Sequence, residues 1–345
     1  MQRRIIKNNF LRGFEADEPR TSGFFKLQKI RTKKKFVFQS VPTIIIILGQ
    51  TATGKSDLAV KIAKKIDGEI ISADSRQVYK GLDIGTGKIT RKEMRGVPHH
   101  LLDIANPKRK FTVAQYKELA EDKIKEIIAR GKTPIICGGT GFYIDAMTKG
   151  IIFPEVPPNE KLRKELYSKS AIALFEYLKR IDPERAKNID PKNKIRLIRA
   201  IEIVKALGKV PKITEKSPPY KFIKIGLYLP QDKLRQKVEK RVKKMFKDGL
   251  LNEIKKLKKN GVSEKRLKEL GFEYYKPTPE KVVTETLKYA KRQMTWFKRD
   301  KEIKWFDASL AELASHRSGS RRASKKIRLT KIHQQRKTKR KLLTK

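Results

Sequence analysis

At 345 residues, 38% of them apolar, the chain has material for one large domain or two modest ones around a real core. Its 85 Lys and Arg against 37 Asp and Glu leave a net charge of +48, far beyond what solubility needs. The single cysteine, Cys137, excludes an intramolecular disulfide framework and a cysteine-based zinc finger, and fits a reducing cytoplasm. Residues 317–345 hold 13 basic and no acidic residues, and residues 1–40 hold 11 basic and 3 acidic. The two ends thus account for +13 and +8 of the charge, and the intervening residues still carry +27. That excess points to a polyanionic partner, against the plainer account of a composition that is lysine-rich throughout.

The first 40 residues are basic but hold no apolar signal-peptide core, and Glu15, Asp17 and Glu18 interrupt any transit-peptide character. They are expected to form a disordered extension or to reflect a misassigned start. From Thr43 the chain alternates short apolar runs with amphipathic stretches. "TIIIIL" predicts a buried strand, and its core Ile44 to Leu48 is the longest apolar run, too short for a membrane span. A glycine-rich loop follows, then a helix over Ser56 to Ile66, a second strand "GEIISAD" ending at Asp74, a helix over Val113 to Arg130 and a third strand and turn, "TPIICGGTG". Buried strands joined by helices predict an α/β fold with a parallel, doubly wound sheet.

"FPEVPPNE", from Phe153, breaks this pattern, and helical stretches around 162–167, 171–181 and 194–207 follow with no strand between them. Strand character returns at "KFIKIGLYL", so residues 153–215 read as a helical insertion between a first core part (41–152) and its completion (216–310). Two long helices then follow, one over 232–259 and one opened by the cap pair Thr278 and Pro279 that continues past Phe297. In the latter, Val283, Leu287, Ala290, Met294 and Phe297 recur at core spacing, while Lys288, Arg292, Thr295 and Arg299 form a second stripe suited either to phosphate contacts or to a solvated face. Residues 311–345 read as a basic disordered tail that binds nucleic acid weakly.

Gly49, Gln50, Thr51, Ala52, Thr53, Gly54, Lys55 and Ser56 satisfy the G-x-x-x-x-G-K-[ST] pattern between a strand and a helix. In that setting backbone amides and the helix start hold phosphate oxygens, Lys55 adds a cation and Ser56 offers a hydroxyl to magnesium. The motif says phosphate and no more. Only Asp74 among the strand ends carries a carboxylate toward the crevice at the sheet's carboxyl edge, as a magnesium ligand, a general base, or simply a turn cap ahead of Ser75. His99 and His100 lack carboxylate or cysteine partners at ligand spacing, which favours a structural or substrate-positioning role over a metal.

In order along the chain stand "GQTATGKS", "DSRQVYKGLDIGTGK" (74–88), "PHHLLDI" (98–104), "GGTGFY" (138–143), "RLIRAIEI" (196–203) and "KRQMTWFK" (291–298). Together they resemble the tRNA dimethylallyltransferase family over about residues 43–307. The resemblance implies a P-loop NTPase-like parallel sheet with a helical insertion. It also implies transfer of a dimethylallyl group from dimethylallyl diphosphate, with Mg2+, to N6 of the adenosine at position 37 of tRNA. It assigns Asp74 as general base and Thr140 as the catalytic threonine, whose plainer role is to hydrogen-bond its own glycine-rich turn. Arg241 is placed near the diphosphate, and Asp74, Ser75, Arg76 and Gln77 on the target nucleotide. Ile195, Arg196, Leu197, Ile198 and Arg199, together with Lys291 and Arg292, are placed on the tRNA.

Gln50 and Ser56 stand where the family usually has Pro and Thr, and Lys237 and Lys298 where it usually has Arg, which keeps charge and loses bidentate geometry. The zinc-finger extension of eukaryotic relatives is absent, which favours a bacterial-type enzyme, and a monomer is the default expectation. Two other readings stand beside it: a prenyltransferase of free adenine nucleotides, and a P-loop kinase-like module that attaches to nucleic acid through its tails.

Overall fold

The computed structural model describes residues 41–212 and 214–310; the expected basic extension and tail lie outside the described residues. In chain order the elements are β1 (Thr43–Gly49), α1 (Lys55–Ile66), β2 (Gly68–Ser72), α2 (Arg91–Met94), β3 (His99–His100), α3 (Val113–Ala129), β4 (Thr133–Cys137), α4 (Gly141–Thr148) and β5 (Ile151–Ile152). There follow α5 (Glu160–Ser168), α6 (Ala171–Ile181), α7 (Pro183–Lys187), α8 (Lys194–Leu207), β6 (Thr214–Glu215), β7 (Lys221–Tyr228), α9 (Gln231–Lys247), α10 (Leu250–Lys259), α11 (Glu264–Leu270), α12 (Pro279–Phe297) and β8 (Lys304–Asp307). They divide into two compact units, the second made of residues 112–118 and 142–218 and therefore wider than the 153–215 interval.

The first unit is built on a six-stranded sheet in the order β3-β2-β4-β1-β7-β8, with every described pair parallel. Ile45 sits opposite both Ile135 and Ile223, and Ile70 opposite Ile135. Ile44, Ile46, Ile47 and Leu48 are fully buried, as a strand covered on both faces requires. Parallel pairing sends the carboxyl ends of β1, β2 and β4 to one edge, where the chemistry-bearing loops begin.

Several expectations need correction. The helix expected over 232–259 is two helices, because Gly249 at φ 101° sits in a left-handed conformation that side-chain-bearing residues avoid, and α10 starts afresh from it. α12 starts as expected at the Thr278 cap, whose hydroxyl accepts from the Lys281 amide, but it ends at Phe297 instead of continuing past it, and its buried face is rotated. Val282, Thr286, Ala290, Gln293 and Phe297 are buried, while Val283, Leu287 and Met294 are only half-buried. Two polar residues at core positions shift the stripe. The strands β3 and β8 carry too little apolar pattern to be read. In the second unit the short antiparallel β5–β6 ribbon places one strand, β6, inside the 153–215 interval where only helix was expected.

That unit packs Leu166, Leu174, Leu178, Leu197, Ile201 and Val204 into its own core. Asn159, Ser170, Asp182 and Asn193 cap its helices, each side chain accepting a backbone amide. Its buried Glu202 takes a bidentate pair from Arg163 (2.9 Å each), the Arg199 guanidinium and the Asn159 amide, so the carboxylate is fully satisfied.

Candidate active site

Three strand ends are knitted at the carboxyl edge of the sheet. The Ala73 amide donates to Cys137 O at 2.8 Å, the Gly138 amide to Ile47 O at 3.1 Å and the Thr140 amide to Ala73 O at 3.1 Å. A Cβ on Gly138 would lie 2.1 Å from Ala73 O, so this close approach requires glycine. The consequence is that Asp74 after β2, Thr140 after β4 and the P-loop after β1 share one crevice.

The P-loop holds its shape through its own groups. Gln50 O accepts from the Thr53 hydroxyl at 2.8 Å and from the Lys55 ammonium. The Gln50 side chain accepts from the Leu229 amide at 3.1 Å, which ties the loop to the end of β7. A proline here would lose that bond as well as the one from the Gln50 amide to Leu227 O at 3.3 Å, so this chain's departure from the common residue has a structural use. Burial pushes the Lys55 ammonium down to about 8, with Arg241 adding to the depression and Asp74 opposing it. The Cys137 thiol is pushed up to about 11 by burial and hydrogen-bonds Ser56, so it is an inert neighbour of the loop.

Asp74 Oδ1 accepts the Arg76 amide at 2.9 Å and the Gln77 amide at 3.2 Å, so the turn-capping geometry is present. Asp74 also lines a pocket with Thr51, Arg76, Thr86, Arg241 and Glu273. Capping and facing the pocket are compatible in a carboxylate with two oxygens. Thr140 Oγ1 accepts the Ser75 amide at 3.0 Å and reaches Ser75 Oγ at 3.3 Å, which fixes the hydroxyl over the "DSRQ" turn.

The pocket's other wall was not legible in the sequence. Arg76 pairs with the buried Glu273 and stacks between Phe272 (5.1 Å) and Tyr289 (5.7 Å). Burial works against the Arg76 charge, and Glu273, Tyr289 and Asp74 outweigh it and hold its pKa up. Burial raises the Glu273 carboxyl against the pull of Arg76 and Arg241. Burial also lowers the Arg241 pKa, countered by Asp74 and Glu273, and its guanidinium donates to Thr86 O at 2.8 Å. The Tyr289 phenol is pushed up to about 12 by burial and the nearby Asp74 and stays neutral. Thr286, Tyr289 and Gln293 come from one face of α12 at i, i+3, i+7 spacing; the first two line the pocket, and Gln293 donates to Gly139 O.

One side chain takes three consecutive amides of the loop 83–87. Glu253 accepts the Asp83, Ile84 and Gly85 amides at 3.0, 2.7 and 3.1 Å and the Tyr274 hydroxyl at 2.9 Å. This places Thr86 on Arg241.

The remaining predicted residues separate by position. Lys291 and Arg292 are exposed on α12, and Arg292 lies over Tyr289 at 5.9 Å. Lys288, Thr295 and Arg299 are also exposed. The segment Ile195 to Arg199 belongs to the second unit, where Leu197 and Ile198 are buried core, Arg199 is bonded to Glu202 and Val156 O, and only Ile195 and Arg196 face out. Lys298 is exposed and caps α12. His99 Nδ1 bonds Val97 O, and His100 Nε2 pairs with Glu69, which also takes Arg130, so the two histidines are structural parts of the sheet edge. No group of three metal-ligating side chains occurs among the described residues, and no helix there is long and apolar enough to cross a membrane.

A family model described as IPP transferase matches residues 77–300, more than half of the chain. A curated tRNA dimethylallyltransferase of Halothermothrix orenii is 39% identical over 299 residues, 81% of this chain and 91% of the relative, and one of Anoxybacillus flavithermus is 40% identical over 76% and 90%. Among solved structures, the full-length tRNA isopentenylpyrophosphate transferase of Bacillus halodurans matches with a TM-score of 0.58 at 36% identity, covering 80% of this chain and 96% of that one. A eukaryotic dimethylallyltransferase acting on tRNA matches with a TM-score of 0.66 at 26% identity over 83% and 77%. With its crevice formed by a P-loop, a strand-end carboxylate and a glycine-flanked threonine, this chain belongs to the IPP transferase family.

Proposed function

We propose that this chain transfers a dimethylallyl group from dimethylallyl diphosphate to N6 of the adenosine at position 37 of tRNA and releases diphosphate, acting as a monomer in the cytoplasm. The observation that carries this reading is the convergence of Asp74, Thr140 and the P-loop on one crevice beside a pocket walled by Phe272 and Tyr289. An allylic C–O bond ionises once its leaving group is stabilised, so amides of the loop, Lys55 and Arg241 draw negative charge onto the departing diphosphate. The exocyclic amine is a weak nucleophile, and Asp74 accepts its proton as the new C–N bond forms. Thr140, fixed by the Ser75 amide, aligns diphosphate and target base.

The donor set suits a hard cation that keeps most of its waters. Ser56 supplies a hydroxyl at the first turn of α1 and the substrate supplies diphosphate oxygens, a pattern typical of Mg2+ rather than of a protein-built cage. Ser56 would hold it, and when bound it would supply further charge neutralisation at the leaving group. Ser75, Arg76 and Gln77 grip the target nucleotide, and the outward Ile195 and Arg196 together with Lys291 and Arg292 contact the tRNA, with Leu197 and Ile198 supporting them from the core.

The test is to incubate the protein with dimethylallyl diphosphate, magnesium and unmodified tRNA or AMP, digest the products and identify the nucleosides by mass. The expected product is N6-dimethylallyladenosine from the anticodon loop alone. Prenylated AMP in place of modified tRNA would move the chain to the free-nucleotide reading, and no prenylated product in either arm would overturn the assignment.

A further inference from the structure

Gln293 is buried, at 5% exposure, on the core face of α12 that it shares with Val282, Thr286, Ala290 and Phe297. Its carboxamide makes two bonds to main chain from different loops. Oε1 accepts the Thr51 amide of the P-loop at 2.8 Å, and Nε2 donates to Gly139 O, one residue before Thr140, at 2.9 Å. An amide N–H only donates and a carbonyl only accepts, so the two partners dictate the orientation of the carboxamide. Gly139 leaves room for it, since a Cβ there would lie 2.2 Å from Nε2.

The two loops that Gln293 joins carry opposite halves of the reaction. The P-loop takes the leaving group, and the turn at 138–140 carries Thr140 toward the acceptor side. Resting on the function proposed above, we infer that Gln293 is a positioning residue: its side chain clasps the diphosphate-binding loop to the Thr140 turn, so that leaving group and acceptor are held in one frame. A misplacement of one loop against the other on the ångström scale is enough to cost a rate factor of about 10². The clasp requires an acceptor and a donor on the same planar group, which leucine lacks and an ionised glutamate only half supplies.

The experiment compares wild type, Gln293→Leu and Gln293→Glu in steady-state transfer to tRNA from pH 5.5 to 9. Gln293→Leu should lose roughly 10- to 100-fold in kcat, with KM for both substrates within about threefold, at every pH. Gln293→Glu reproduces both bonds when its carboxyl is protonated and only the Thr51 bond when it is ionised. Its kcat relative to wild type should therefore fall as pH rises. A packing role alone predicts a wild-type kcat for the similarly sized Gln293→Leu; that result, or a Gln293→Glu ratio that does not change with pH, overturns the clasp. If Gln293→Leu does not fold, the pH course of the Gln293→Glu ratio decides alone. Wild-type inactivity on tRNA would count against the proposed function. The clasp would then be read from hydrogen exchange: the Thr51 amide should exchange at least roughly 10-fold faster in Gln293→Leu than in wild type at the same pH, and unchanged protection would overturn it.

Discussion

The two sides of the candidate site are written into the chain in different ways. One is made of loops that follow β1, β2 and β4, and each carries a local motif whose residues are neighbours in sequence. The other is α12 with the Phe272–Glu273 turn, whose contributing side chains are Thr286, Tyr289 and Gln293, spaced by helical turns. In the loops, glycines, a lysine and a carboxylate within eight residues are hard to explain except as a site. On the helix, a polar residue at a core position looks like noise in a hydrophobic stripe, and only the fold turns it into a wall. Chemistry concentrated in a loop is legible, and chemistry distributed along a helix face is hidden by the periodicity that makes the helix pack.

The sharpest break of this comparison is at the loop wall. Asp74→Asn or Thr140→Ala should lower single-turnover transfer by at least ~100-fold, or about 2.7 kcal/mol, without loss of the folded state. Near-normal rates would remove the residue from the mechanism. The loop over 83–87 offers a test of support without chemistry. Glu253→Ala leaves three consecutive amides and the Tyr274 hydroxyl without their acceptor and should cost about 2 kcal/mol in denaturant unfolding. An unchanged midpoint would mean that water replaces the carboxylate.

A smaller effect reads the Lys55 environment. Because the free ammonium titrates near 8 and diphosphate binding needs it charged, affinity should be full below that value and fall by ~10-fold between pH 7 and pH 9. Lys55→Arg, charged throughout, should remove the extra slope relative to wild type; equal slopes in calorimetric titrations would contradict it. Smallest is the outer face of α12. Arg292→Ala should weaken tRNA binding only about threefold and reduce its salt dependence by about one unit, as for a single phosphate contact. An unchanged salt slope would return that stripe to a solvated face.

The parallel core was legible because β1, β2 and β4 are continuous apolar runs bounded by turns. The long helices were legible from period and caps, except where one glycine divides the segment 232–259 at a point that periodicity alone passes over. β3 and β8 were not legible, since "HH" and "KWFD" gain strand geometry from neighbours rather than from their own pattern. At the site, Asp74, Thr140 and the P-loop were readable as types of residue in a place. Glu273 was not, because its meaning is a pairing with Arg76 across 197 positions of sequence. In the second unit, Leu197 and Ile198 carry the motif's spelling but serve the core, which residue identity could not separate from the exposed Ile195 and Arg196.

The central claim is that the phosphate cradle holds a leaving group rather than a nucleotide to be hydrolysed. It is tested most directly by following diphosphate release from dimethylallyl diphosphate and phosphate release from ATP in the same preparation, with and without unmodified tRNA. Diphosphate should be released only when tRNA is present, in one-to-one proportion to adenosine modified, with no tRNA-dependent ATP turnover. Steady ATP hydrolysis with no tRNA-dependent diphosphate release would contradict it.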